Sequence, residues 1–190
     1  RPAAGQGVAL PVWIPGSYLV REFAKNLQKL TARQGRQPVA LRQLDKARWR
    51  TDCTDRQALV LEYEVYALDN SVRTAWLDAD RGFFNGTSLC LQVLGQAHQP
   101  HELTVVSTRA TKGWRVATGL PPVDTDARGF GRYRAADYDS LVDHPFELGT
   151  FWSGEFTACG VPHRFVVAGV LPSFDGEKLL ADTRRICEAE

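Results

Sequence analysis

Hydrophobic and polar positions alternate most clearly over residues 58–67, ALVLEYEVYA. Leu59, Leu61, Tyr63 and Val65 fall on one side, and Glu62 and Glu64 on the other. That is the pattern of a half-buried strand, because successive side chains of an extended chain point to opposite faces. Shorter runs rich in β-branched and aromatic residues predict further strands at 8–14, 26–33, 38–50, 88–94, 102–107 and 113–118. Turn formers punctuate them: Pro15-Gly16, Gln34-Gly35-Arg36 and Asn85-Gly86. Residues 18–24 predict a short helix, and 138–143 a helical turn. The stretch 119–137, with Pro121-Pro122, Asp124, Asp126, Gly129 and Gly131, reads as loop. Segments 150–157 and 163–170 predict an antiparallel hairpin turning through Cys159-Gly160-Val161-Pro162. In the tail, 175–190, the period changes. Leu179, Leu180, Thr183, Ile186 and Cys187 share one helical face. Asp175 is placed as N-cap, Glu177 lies in the first turn, and Arg184 and Arg185 come late, as the helix dipole favours. Many strands followed by one amphipathic helix without a partner helix predict a mainly β chain. We expect an antiparallel β-sandwich-like domain over 1–145, then a hairpin and helix over 146–190 that open a second unit.

Composition narrows the class of function. The 190 residues are 44% hydrophobic and 24% charged, which gives room for one domain of good size. A net charge of +1, from 23 basic and 22 acidic residues, lacks the basic excess of a nucleic-acid binder. No apolar run reaches the roughly 18 residues that a membrane helix needs. The start at Arg1, with no Met in the chain, reads as a processing boundary. The four cysteines, Cys53, Cys90, Cys159 and Cys187, are widely spaced and form no Cys-x-x-Cys. Three pairings are possible, but a chain of this length does not need staples, so they read as free thiols.

Candidate chemistry is sparse. A zinc-peptidase helix needs His-Glu-x-x-His, since the i, i+4 spacing puts two imidazoles on one face beside the general base. His98 and His101 are three apart and flank Pro100 in a polar stretch that reads as a hairpin loop. His144, before Pro145, reads as a loop residue bonded to nearby backbone, and His163 as the start of a strand. No Gly-x-Ser-x-Gly, phosphate loop or dinucleotide fingerprint occurs, and Gly129-Phe130-Gly131 lacks a strand before it and a helix after it. Asp78, Asp80, Asp137, Asp139 and Asp143 read as solvated or capping carboxylates, with a paired-acid site as the sharper alternative. Asn85-Gly86-Thr87 matches a glycosylation sequon, although Asn-Gly is first a turn former. Two aromatic-rich stretches remain, Trp13 to Phe23 and Trp76 to Asn85. Core packing is the plain reading of both. The functional alternative is that Tyr18, Arg21 and Glu22 decorate a stiff Pro-Gly turn beside a pocket, as loops on a β scaffold often do.

The stretch WIPGSYLVREFAKNL (13–27) resembles a signature near the start of the glycyl aminopeptidase family of gluzincin zinc metallopeptidases. LDKARWR (44–50), YEVYALDNSVRTAWLD (63–78), FFNGTSLCL (83–91), GWRVATGL (113–120) and DYDSLVDHPFELG (137–149) resemble the same family in the same order. The resemblance implies the N-terminal, non-catalytic domain of a zinc aminopeptidase that releases N-terminal Gly or Ala from peptides. Residues 146–190 would then begin a thermolysin-like catalytic domain. The family's His-Glu-x-x-His helix, distant Glu ligand, Gly-rich acidic motif and PDZ-like domain do not occur in these residues. Zinc is therefore expected in the full-length protein, and neither zinc, a metal ligand nor a catalytic residue in this stretch, which is expected to be inactive alone. The implied partners are its own catalytic domain in cis and a peptide substrate, with no nucleic acid and no membrane, in a bacterial cytoplasm or periplasm. Tyr18, Arg21 and Glu22 are the substrate-cleft candidates. The rival expectation is a β-sandwich module that binds a carbohydrate or a protein segment without catalysis.

Overall fold

The computed structural model describes residues 1–14 and 16–189. Pro15 of the expected Pro15-Gly16 turn and Glu190 at the end of the tail lie outside the described residues. In chain order the first elements are β1 (Gly7–Ala9), a 3-10 helix (Phe23–Asn26), β2 (Leu27–Gln34), β3 (Gln37–Pro38), β4 (Leu41–Gln43), β5 (Arg48–Thr51) and β6 (Leu59–Val65). Then come β7 (Ala75–Leu77), β8 (Arg81–Phe84), a second 3-10 helix (Gly86–Ser88), β9 (Gln92–Val93), β10 (His101–Val105) and β11 (Arg115–Ala117). The last are β12 (Pro122–Thr125), β13 (Gly131–Ala135), α1 (Tyr138–Val142), β14 (Phe146–Gly149), β15 (Phe151–Ala158), β16 (Val161–Ala168) and α2 (Gly176–Ala189).

Among the described residues the strands form five small sheets, ordered β4-β5-β1-β9, β3-β2-β6, β11-β14-β8-β7, β10-β13-β12 and β15-β16. Every strand pairing among the described residues is antiparallel. The chain is thus mainly β, as its alternating pattern implies. In β6 the apolar face is half-buried while Glu62 and Glu64 stay exposed. Those carboxylates pair across the strand boundary with Arg33 and Lys29 of β2. The principal core gathers Trp114, Val116, Leu120, Phe130, Tyr133, Tyr138, Leu141 and Phe146. Phe146 is fully buried, stacked on Phe84 at 4.8 Å and edge-on to Tyr133 at 5.3 Å. Leu10, Ile14 and Phe23 make a second, smaller cluster. Arg81 of β8 meets Glu147 of β14 with two parallel contacts, 2.7 and 2.9 Å, which fixes the pairing of those strands from the side.

Several expectations need correction. The stretch 119–137 is not loop: it holds β12 and β13, a hairpin whose glycine-rich connection hides the strand pattern. Gly129-Phe130-Gly131 therefore does follow a strand, but it leads into another strand and not into a helix. The expected strand at 88–94 is only Gln92–Val93, because Asn85 caps a 3-10 turn that consumes Gly86–Ser88. The expected strand at 8–14 ends at Ala9, and 38–50 divides into the hairpin β4–β5 around Asp45, whose carboxylate accepts from the Ala47 backbone N–H. The helix expected at 18–24 is a 3-10 turn at Phe23–Asn26. His101 belongs to β10, opposite Ala135, and not to a loop.

The hairpin and the helix of the tail form where the pattern places them, with a tighter turn: Val161 and Pro162, expected in the turn, open β16. Asp175 accepts from the Lys178 backbone N–H at 2.9 Å, the geometry of an N-cap. Leu180 is buried on β15, Leu179, Thr183 and Cys187 are half-buried, and Ile186, expected on the same face, is 61% exposed. The contact depends on two glycines under the Trp152 ring. A Cβ on Gly176 would lie 2.2 Å from the ring, and one on Gly154 2.6 Å from it. Gly176→Ala should favour the isolated helix by up to about 1 kcal/mol, yet the rigid indole leaves no space. We expect a net loss of about 1–3 kcal/mol in urea unfolding, with faster amide exchange in α2. Unchanged stability and exchange would mean that the ring swings aside freely.

Candidate functional site: an anchored apolar loop and the groove beside it

The loop between β1 and the first 3-10 helix is closed at its neck, where the Arg21 backbone N–H donates to the Val12 carbonyl at 2.7 Å. Within it, the Ser17 N–H donates to the Ile14 carbonyl, and the Arg21 Nε donates to Ser17 Oγ at 2.8 Å. Ser17 and Ile14 are buried, and Ile14 sits on Leu10 and Phe23. The base is therefore fixed by apolar packing and a buried hydroxyl. The crest is the opposite: Trp13 is 58% exposed, Tyr18 99%, Leu19 64% and Val20 75%. Apolar side chains held outward on a rigid base are the signature of a contact surface.

The three candidates of this segment have different surroundings. Tyr18 stands free in solvent at the crest. Arg21 turns inward to the Ser17 hydroxyl and so positions the loop. Glu22 pairs with Lys46 at 2.8 Å, and the hydrogen bond from that ammonium draws its carboxyl below the ordinary range while raising the lysine. The structure brings Arg21 to the loop's own scaffold and Glu22 to the β4–β5 hairpin, and does not bring the three together at one point.

Ile14 also lines an open groove of about 580 Å³, shared with Asn85, Thr87, Asp137, Asp139, Ser140, Asp143 and His144. Three segments far apart in sequence meet here. Asn85 Oδ1 accepts from the Thr87 N–H and hydroxyl, so the asparagine shapes a turn. Gly86 is needed at that turn because a Cβ would meet the Val142 Cα at 3.0 Å, which lets the 3-10 helix approach α1. Asp137 caps α1: its Oδ1 accepts from the Ser140 N–H at 2.7 Å, which lowers its carboxyl pKa, and His101 adds to the shift. With Asp139 and Asp143 it gives the groove an acidic lining. The signal available in the sequence was that 13–27, 83–91 and 137–149 all belong to segments resembling one family.

The imidazoles do not converge. The Nδ1 atoms of His101, His144 and His163 each bond a backbone carbonyl within four residues, and His98 lies against Gln99. Among the described residues no three His, Cys, Asp or Glu side chains are grouped to hold a metal ion. The donors among the described residues thus do not fit zinc. Cys90 is partly buried against the main core, and the desolvation of its thiol pushes its pKa up to about 11.

The chain is mainly β and antiparallel, with apolar side chains held outward on a packed loop base. Residues 1–150 match the Peptidase M61 N-terminal domain, and the chain belongs to that family. It is also similar to a crystal structure of an aminopeptidase N family protein from Idiomarina loihiensis, at 39% identity and a TM-score of 0.94. That match covers 99% of this chain and 32% of the other, so this chain spans about a third of that protein's length. No curated protein matches at a significant level.

Proposed function

We propose that this chain is the non-catalytic N-terminal domain of a zinc-dependent aminopeptidase that releases N-terminal Gly or Ala. Its part is to wall one side of the substrate cleft with the loop 12–21. The observation that carries this reading is the loop itself, with a packed base beneath Trp13, Tyr18, Leu19 and Val20, which are left without cover. The membership in a peptidase domain family and the likeness to an aminopeptidase N family protein supply the parent activity. In this reading zinc, the general base and the groups that stabilise the oxyanion reside in the catalytic domain in cis. The β domain restricts access and orients the peptide, which contributes by holding reactants in place and not by proton transfer. Zinc content and Gly-p-nitroanilide hydrolysis, measured side by side on the 190-residue chain and on its full-length parent, test it. We expect both only in the parent. Stoichiometric zinc or turnover in the short chain would refute the assignment. Neither in either form would favour a module whose exposed Trp13 and Tyr18 bind a carbohydrate or a protein segment.

A further inference from the structure

Two of the four thiols are set apart by their company. Cys53 is buried, and Cys90 is partly buried against the main core. Cys159 is exposed at the tip of the β15–β16 hairpin, and Cys187 is half-buried on α2. They lie 28 residues apart, yet Cys159 Sγ is 3.9 Å from the Cys187 carbonyl oxygen. A carbonyl oxygen sits about 2.4 Å from its own Cα by standard bond lengths, which puts that sulfur no more than about 6 Å from the Cys187 Cα. Joining the sulfurs then takes a change of rotamer and a shift of the exposed turn that brings the two Cα atoms into the roughly 4.4–6.8 Å range of bonded cysteines.

The framework that holds the two together is built along its length. Leu180 of α2 packs on Gly154 of β15, and Cys187 follows it after seven residues, or about 10.5 Å of helix, on nearly the same face. The hairpin tip lies five residues beyond Gly154, about 16 Å along the strand. Helix and strand thus run side by side and deliver the two thiols to the same end. The turn gives a second pointer. Cys159 has φ +49° and Gly160 +76°, the two left-handed positions of a two-residue hairpin loop. Asn, Asp or Gly is preferred at the first of them, so the cysteine is not there for the turn.

We propose that Cys159 and Cys187 are a dithiol modification site that closes reversibly to a disulfide, stapling the β15–β16 turn to α2. The oxidant class is a small-molecule disulfide such as oxidised glutathione. The exposed Cys159 thiolate attacks one sulfur of that disulfide, whose S–S bond breaks and expels one small thiolate. The Cys187 thiolate then attacks the Cys159 sulfur of the mixed disulfide and expels the second. Two protein thiols lose two protons and two electrons, and the small disulfide is reduced to two thiols.

The test is titration of the folded 190-residue chain through a series of oxidised-to-reduced glutathione ratios, with thiol counting by maleimide mass tagging and peptide mapping. We expect two thiols to disappear together, a single linked peptide pair joining Cys159 to Cys187, and full recovery with dithiothreitol. The oxidised form should melt about 5–10 °C higher than the reduced form. Cys187→Ser should leave Cys159 trapped as a glutathione adduct, and Cys159→Ser should slow modification of Cys187 at least tenfold. Four free thiols under oxidising conditions, a link that uses Cys53 or Cys90, or a bond formed only between chains would each overturn the proposal. The Ser variants also keep the native fold testable, since each changes one sulfur to oxygen at a site that is not fully buried.

Discussion

Phe146→Ala is expected to cost about 3–5 kcal/mol in urea unfolding and to lower Tm by roughly 10 °C. The phenyl ring is 0% exposed and touches both Phe84 and Tyr133, so its removal empties a space that those two rings line. The backbone around it has little freedom to collapse inward. Phe146 pairs with Phe84 in the β14–β8 register, and Arg81 clamps Glu147 next to it. A cavity that cannot close carries the larger end of the truncation cost, because the lining loses dispersion contacts as well as burial. Phe146→Leu should cost less, about 1–2 kcal/mol, since it retains most of the volume. If the alanine variant unfolded within about 1 kcal/mol of the parent chain, the placement of Phe146 at the centre of the main core would be wrong.

That core shows where the sequence could be read and where it could not. β6 was legible because Leu59, Leu61, Tyr63 and Val65 face one way over a full strand length. The hairpin β15–β16 and α2 were legible for the same reason, each being long enough to show its period. β12 and β13 were not, because Pro121-Pro122 and the glycines at 129 and 131 are the usual marks of a loop. Here they serve a tight hairpin, and a Cβ on Gly131 would fall 2.1 Å from the Asp124 carbonyl oxygen. The glycines are thus demanded by strand pairing and not by flexibility. The short strands β1, β9 and β11 carry two or three residues each, so the expected strands at 8–14, 88–94 and 113–118 mark where they lie but overrun their ends. The groove was illegible for another reason. Its walls come from Ile14, the turn at Asn85 and the segment Asp137 to His144, and only tertiary structure puts these side by side.

Resemblance and geometry also divided the labour at the loop. The signature around Trp13 to Glu22 drew attention to Tyr18, Arg21 and Glu22, but charge and aromaticity alone did not rank them. The structure separates an outward side chain from an inward one. Arg21 is committed to Ser17, and Glu22 to an exposed pair with Lys46, a type that contributes little to stability. Tyr18 has no such commitment, and Trp13 shares the crest with it.

Tyr18→Ala and Trp13→Ala in the full-length parent are therefore expected to lower kcat/KM for peptides with N-terminal Gly by about ten- to hundredfold each. Tyr18→Ala should leave the stability of the domain within about 0.5 kcal/mol, because that side chain packs on nothing in its own chain, and Trp13→Ala should cost somewhat more, since its ring is partly covered. Arg21→Ala is expected to act through the loop instead, with a smaller fall in kcat/KM and faster amide exchange over 13–20. Glu22→Gln should be nearly silent, since an exposed ion pair with Lys46 is all that it gives up. This ordering follows from the fixed base of the loop: a contact side chain is felt only by what it touches, whereas a positioning side chain is felt through motion of its neighbours. Activity at the parent level for both the Tyr18 and the Trp13 variants would show that the crest faces away from the substrate path. A loss of activity accompanied by an equal loss of stability would assign the crest to packing against another part of the protein and not to the peptide.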